Sequence, residues 1–314
     1  MSLRKVSING MSLIILALLW PVGASAAPPR QAGVAAEPAK GSVQHVIVHG
    51  KSLEGNLEGD SPNRAVSIYL PPSYARSPGR RYPVVYLLHG FTQTDTAWYG
   101  KSTDRLNVPT IMDRALAAGA TREMILVTPN AMTVYGGSNY SSGSTTGDWE
   151  AFIAKELVQY VDSHYRTLAS AQSRGLGGHS MGGYGAMRIG MKHPEVFSTL
   201  YFLSPCCVAP ESNIPKTAED IARFEALKAP PADFRQIDQN IRTAVAAAAS
   251  WAPNPQKPPL YYDSPFKDGV RQDDVLARMT ANRPLVMWTS MSAPSSDRPS
   301  PLMWDGRTRT SQRT

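Results

Sequence analysis

Cysteine is nearly absent from the 314-residue chain: there are two, Cys206 and Cys207, side by side. A pair of neighbours makes neither a disulfide framework nor a metal cluster, so no metal and no other cofactor is expected. In an oxidising compartment the two could form a vicinal disulfide, but a bond between adjacent residues strains disulfide geometry, so they read rather as small packed thiols. Charge is also sparse, at 18% of residues, and the formal net charge of +7 is concentrated towards the ends. Arg4 and Lys5 lie near the N-terminus, and residues 284–314 hold four Arg against two Asp. The remaining 26 basic and 23 acidic residues nearly cancel, which excludes the basic face that nucleic acid demands. The scarcity of histidine matters more. The six are His45, His49, His89, His164, His179 and His193, and residues 194–314 contain none.

Long apolar runs are missing with one exception, Met11 to Trp20. It is too short for a stable membrane span, which takes about 20 residues. Arg4 and Lys5 precede it and the small residues Ala24-Ser25-Ala26 follow, so residues 1–26 read as a signal peptide. The mature chain is then secreted or periplasmic, with no stable membrane anchor after cleavage. Residues 27–41 lack periodicity and read as a disordered lead-in. The 42% hydrophobic content that remains is ordinary for a globular fold.

Strands and helices alternate through the body. Val43 to Val48 and Arg64 to Leu70 alternate like half-buried strands. Tyr82 to Leu88 and Met124 to Thr128 are continuous apolar runs, as in strands covered on both faces. Leu106 to Ala118 has helical spacing, and Asp148 can cap a helix from Trp149 to about His164 with Phe152, Ile153, Leu157, Tyr160 and Val161 on one face. Thr199 to Ser204 is again strand-like. This order predicts an α/β fold with a mostly parallel central sheet and helices on both faces. Residues 208–283, with nine prolines and an alanine-rich helix candidate (Phe234 to Trp251), break the rhythm. They read either as an insertion or lid at about 208–270 or as an ordinary surface excursion.

Gly178-His179-Ser180-Met181-Gly182 fits the pattern G-x-S-x-G at a predicted strand–turn–helix junction. The chemistry needs a serine at the apex of a sharp turn, with glycines leaving room for strand and helix to cross closely. The helix N-terminus then adds backbone N–H groups beside a developing oxyanion. The apolar strand ending at Leu88 runs straight into His89-Gly90-Phe91, where such a fold supplies its second oxyanion donor. The expected donors are the N–H groups of Phe91 and Met181. His89 reads as a loop-orienting or buried histidine rather than a base, since the base in this fold comes late in the chain. The segment Val134 to Tyr140 reads as a solvated loop whose two tyrosines could alternatively line a sugar or aryl site.

Four segments, YPVVYLLHGF, GDWEAFIAKELVQYVDSHYRT, GHSMGGYGAMRIGMKHPEVF and NPQKPPLYYD, together resemble the esterase-D-like esterase family of α/β-hydrolases. That family includes S-formylglutathione hydrolases, feruloyl and acetylxylan esterases, and mycolyltransferases. The resemblance spans roughly residues 43–283 and places an esterase domain at 42–283. It implies Ser180 as nucleophile, Phe91 and Met181 as oxyanion donors, and a small-molecule or polysaccharide-linked ester as substrate. The signal peptide disfavours a cytosolic thioester. An exported serine esterase, an acyltransferase of the same fold and a non-catalytic or truncated homologue all stay open.

The same resemblance exposes what is missing. The mechanism needs an acid and then a histidine after the serine, and no histidine follows His193. Asp263, Asp268, Asp273 and Asp274 are candidate acids, but they precede the family's acid position and read as turn caps. Residues 284–314, rich in Ser, Pro, Arg and Thr, show neither strand nor helical pattern and read as a divergent, disordered tail, leaving the C-terminal part of the fold incomplete. Met and Trp each have a single codon, which allows a test. Met287-Trp288-Thr289-Ser290-Met291 can be written ATG TGG ACC AGT ATG, and one extra G after the first ATG turns it into Met-Val-Asp-Gln-Tyr. In that frame Met303-Trp304-Asp305 becomes xAT-GTG-GGA, which is Asp-Val-Gly when the base before it is G and then resembles the family's approach to its acid. Residues from about Trp288 onward are therefore expected to be a frameshifted product. Sequencing the coding DNA checks this: codons that permit the alternative frame are expected, and codons that forbid it end the idea.

Overall fold

The computed structural model describes residues 39–100, 106–230 and 233–292. The expected signal peptide, most of the lead-in and the tail from residue 293 lie outside them. Six strands form the central sheet: β1 (Ser42–His49), β2 (Asn63–Leu70), β3 (Val84–Leu88), β4 (Ile125–Pro129), β5 (Arg174–His179) and β6 (Thr199–Leu203). Their spatial order is β1-β2-β4-β3-β5-β6. The first two pairings are antiparallel, and β3 pairs parallel to both β4 and β5, as β5 does to β6. The sheet is thus mixed, with its parallel part around β3 and β5, the two strands that run into the sequence motifs.

Helices pack on both faces. Trp149–Ala151 opens a helix that passes through a π-helical stretch, Phe152–Glu156, into Leu157–His164; the three together are α2. Its first turn is capped as expected, with the Ala151 N–H donating to Asp148 Oδ1 at 3.0 Å. Phe152, Ile153, Leu157 and Val161 of α2 join Ala186 and Ile189 of α3 (Met181–Lys192) against Ile68, Tyr86, Val127 and Leu176 of the sheet. On the opposite face, Tyr69 donates its hydroxyl to Asp113 Oδ1 of α1 (Val108–Ala117) at 2.7 Å.

Beyond β6, helices α4 (Ala218–Ala226), α5 (Gln239–Trp251) and α6 (Asp273–Ala281) enclose a second apolar cluster. It is shared with Tyr135 and with Tyr184 of α3. The alanines Ala246 to Ala249 on α5 are buried and bring its backbone close enough for Asn139 Nδ2 to donate to the Ala246 carbonyl at 3.2 Å.

Residues 284–314 do not lack structure throughout. Pro284–Ser292 form a helix, α7. Proline is favoured in the first turn of a helix, but the apolar residues that follow do not fall on one stripe, which is why periodicity missed it. Met287 turns inward, while Leu285 and Trp288 are 53% and 63% exposed. The strand β6 is the edge of the sheet among the described residues. On one face the row Leu87, Gly177, Tyr201 runs across β3, β5 and β6, and Tyr201 is 67% exposed.

A buried ion cluster ties α2 to α3. Glu150 Oε1 accepts from Arg188 at 2.6 Å and Glu150 Oε2 from Lys192 Nζ at 2.5 Å. Burial works against ionised Glu150, but the Arg188 and Lys192 charges hold its carboxyl below the ordinary value of 4.5. A lowered native pKa contributes stability that is present above the unfolded value and is lost as pH falls through the native one. Glu150→Gln leaves Arg188 buried and under-paired, so it is expected to cost roughly 3–5 kcal/mol at pH 7. Urea unfolding checks this, and the variant is expected to show a shallower loss of stability below pH 4.5.

Candidate active site

Ser180 sits between the end of β5 and the first residue of α3, with φ 53° and ψ −115°. A non-glycine residue in this region is strained and persists only where its surroundings over-determine it. Here they do. The Ser180 N–H donates to the Leu203 carbonyl at 3.0 Å, and the Ser180 carbonyl accepts from the N–H groups of Cys206 (3.1 Å) and Tyr184 (3.0 Å). The flanking glycines are demanded by the close crossing. A Cβ on Gly178 would overlap the Gly182 carbonyl, and one on Gly182 would overlap the Leu88 carbonyl oxygen.

The loop after β3 meets the same place. Phe91 and Met181 both approach Gly137, where a Cβ would collide with the Met181 thioether and come within 3.2 Å of the Phe91 ring. The backbone N–H groups of Phe91 and Met181 donate to no group among the described residues, so both are free to meet an added acceptor. Gln93 shapes this loop: its Oε1 accepts from the Gly90 N–H at 2.8 Å, and its own N–H donates to the Gly90 carbonyl at 3.2 Å. Sequence reasoning missed Gln93, because nothing in its spacing marks a side chain that folds back on the main chain.

His89 is buried and has both ring nitrogens engaged. Nδ1–H donates to the Gly90 carbonyl at 2.8 Å, and Nε2 accepts the Ala131 N–H at 2.8 Å. It joins the loop after β3 to the loop after β4, the orienting role expected from the sequence. No other histidine reaches the serine: His45 lies on Ser67, His49 on Asn63 and Glu54, His164 on Tyr160, and His193 on Glu195. His179 stands beside Ser180 in the chain, yet among the described residues no imidazole is hydrogen-bonded to Ser180 Oγ. Asp263 is held by Lys257 (2.7 Å) and Arg278 (2.6 Å), and Asp273 and Asp274 occupy the first turn of α6.

Two expectations need correcting. The loop Val134 to Tyr140 is largely packed rather than solvated: Tyr135 and Tyr140 are buried and donate to the carbonyls of Leu260 (3.2 Å) and His89 (3.1 Å). Its glycines and serines serve close packing beneath α5, which composition alone could not distinguish from a surface loop. Cys206 and Cys207 are joined by a disulfide instead of standing as two thiols. The chain bends after β6, with Ser204 and Cys207 at φ 41° and 63°.

The family described as "Putative esterase" matches residues 61–305. An endo-1,4-beta-xylanase/feruloyl esterase of Xylanibacter ruminicola is 29% identical over 174 residues, 52% of this chain and 23% of that protein. An esterase of Mycobacterium tuberculosis is 35% identical over 138 residues, 44% of this chain and 28% of that protein. The chain thus spans about a quarter of the length of these curated relatives. A solved ferulic acid esterase aligns with a TM-score of 0.48 at 28% identity, over 67% of this chain and 72% of that one.

Burial drops the His89 pKa from 6.5 to about 4. The unfolded chain therefore binds a proton that the folded one refuses as pH falls from 6.5 towards 4, so stability declines across that window, by up to about 3 kcal/mol. His89→Gln keeps an acceptor for Ala131 but has no such titration. Its stability, measured by denaturant unfolding from pH 7 to 4, is expected to start roughly 1–3 kcal/mol lower and to vary less with pH.

Proposed function

The chain belongs to the "Putative esterase" family, and from that premise we propose that it is an exported serine carboxylic-ester hydrolase in which Ser180 is the nucleophile. The Ser180 oxygen attacks the ester carbonyl, and the oxyanion that forms accepts from the N–H groups of Phe91 and Met181. The N-terminus of α3 adds its partial positive charge at the same point. The alcohol leaves, and water hydrolyses the acyl-enzyme. Acyl or feruloyl esters carried by polysaccharides are the substrate class, in keeping with a relative named for feruloyl esterase activity.

The observation that carries this reading is the conformation of Ser180, held in a strained turn by three backbone hydrogen bonds beside two N–H groups that have no partner among the described residues. The base is the weak link. Without an imidazole on its oxygen, a serine hydroxyl is a poor nucleophile at neutral pH. The chain as written therefore works far below its scaffold's capacity. Hydrolysis of p-nitrophenyl acetate and methyl ferulate is measured for the chain, for Ser180→Ala and for a version with the reading frame restored from Trp288. The restored version is expected to exceed the chain by at least about a thousandfold, the scale of a missing triad member, and to lose that gain with Ser180→Ala. Strong activity of the unrestored chain that vanishes in Ser180→Ala would mean another group serves as base.

A further inference from the structure

We propose that the Cys206–Cys207 disulfide is a thiol–disulfide exchange site whose redox state sets the conformation of the Ser180 turn. Its consequence for activity rests on the esterase reading; the exchange chemistry and its effect on the turn do not.

The pair stands three residues beyond β6, in the segment that holds the elbow. Ser180 donates its N–H to Leu203 and accepts from the N–H of Cys206, so both of its main-chain groups are anchored between residues 203 and 206. Pro205 of the same segment lies against Gly183 in the first turn of α3, with its Cα 3.0 Å from where a Cβ would stand. A bond between neighbouring residues closes a small ring that fixes their backbone. Cys207 is held at φ 63°, a region that a non-glycine residue leaves when free to do so.

The two sulfurs are not equivalent. Cys206 is partly exposed, whereas Cys207 is buried and its Sγ accepts a hydrogen bond from Asn213 Nδ2 at 3.1 Å. An incoming thiolate reaches the Cys206 sulfur, and the bond electrons leave with Cys207. Asn213 stabilises that leaving thiolate, and a better-stabilised leaving thiolate departs faster. With a dithiol as reductant, its thiolate bonds to Cys206 Sγ and the Sγ–Sγ bond breaks. Its second thiolate then attacks its own half of the mixed disulfide and releases Cys206. The net change moves two electrons and two protons: the cysteines become two thiols and the reductant becomes a disulfide. Cys207 is then free to leave its positive φ, and the Cys206 N–H is no longer held on the Ser180 carbonyl.

The test uses the full chain with glutathione and dithiothreitol. Before reduction, iodoacetamide is expected to alkylate neither cysteine. With glutathione and rapid alkylation, peptide mass spectrometry is expected to find glutathione on Cys206 and the alkyl group on Cys207. Asn213→Ala is expected to slow the exchange about tenfold, the scale of losing a hydrogen bond to a charged sulfur. On reduction by dithiothreitol, amide hydrogen exchange at Cys206 and Ser180 is expected to rise at least tenfold, about the factor for loss of one net hydrogen bond. Two free thiols in the untreated chain, glutathione on Cys207, an unchanged rate in Asn213→Ala, or unchanged amide exchange on reduction would each overturn the proposal. None of these readouts needs ester turnover, so an inactive enzyme leaves them fully interpretable.

Discussion

The candidate site hangs on the crossing of β5 into α3 at Ser180. Two stretches of backbone approach each other there so closely that Gly178 and Gly182 have no room for a Cβ. The neighbour that α3 meets is the carbonyl end of β3, the strand that leads into the Phe91 loop. A single steric constraint therefore sets the serine's exposure, the placement of the helix N-terminus and the approach of the loop carrying the second free N–H. The hydrogen bond to the Leu203 carbonyl and those from the Tyr184 and Cys206 N–H groups hold the positive φ of Ser180, and so extend this dependence to β6 and the turn after it.

The polar groups around the crossing are committed to shape. His89 is neutral, buried and satisfied on both nitrogens, and Tyr140 closes the same junction by donating to the His89 carbonyl. A histidine next to the proposed oxyanion loop invites a catalytic role, but one with both nitrogens engaged and a pKa of about 4 acts as a brace. On the far side of α3, Glu150 gathers Arg188 and Lys192, so the C-terminal half of the helix is tied to α2.

The region after β6 is less consistent. Tyr201 on the edge strand and Leu285 and Trp288 on α7 expose large apolar side chains. Arg283 is fully buried, stacks on Trp251 at 4.2 Å and donates to the Ser212 carbonyl. Its Nε and Nη1 have no partner among the described residues, and burial lowers its pKa to about 10. A buried guanidinium without a carboxylate is costly, and an exposed edge is a liability that native sheets usually cover.

Local pattern alone settled most of the sheet and its main helices. Continuous apolar runs at β3 and β4, the Asp148 cap and the G-x-S-x-G spacing are each dictated by neighbours in the chain, so a linear reading reaches them. The absence of histidine after residue 193 was equally plain. What the linear reading could not reach depends on residues distant in sequence. Tyr135 and Tyr140 looked like loop tyrosines until the α5 layer buried them, and Gln93 acquired its task only when its side chain turned back onto Gly90. Cys206 and Cys207 are joined in a disulfide within a bend where Cys207 takes a positive φ that composition does not announce. Pro284–Ser292 became helical although its apolar residues follow no stripe, with Met287 finding a place beside Arg188. Periodicity reports burial by one regular face, so elements held by a few irregular tertiary contacts stay invisible until the fold is assembled.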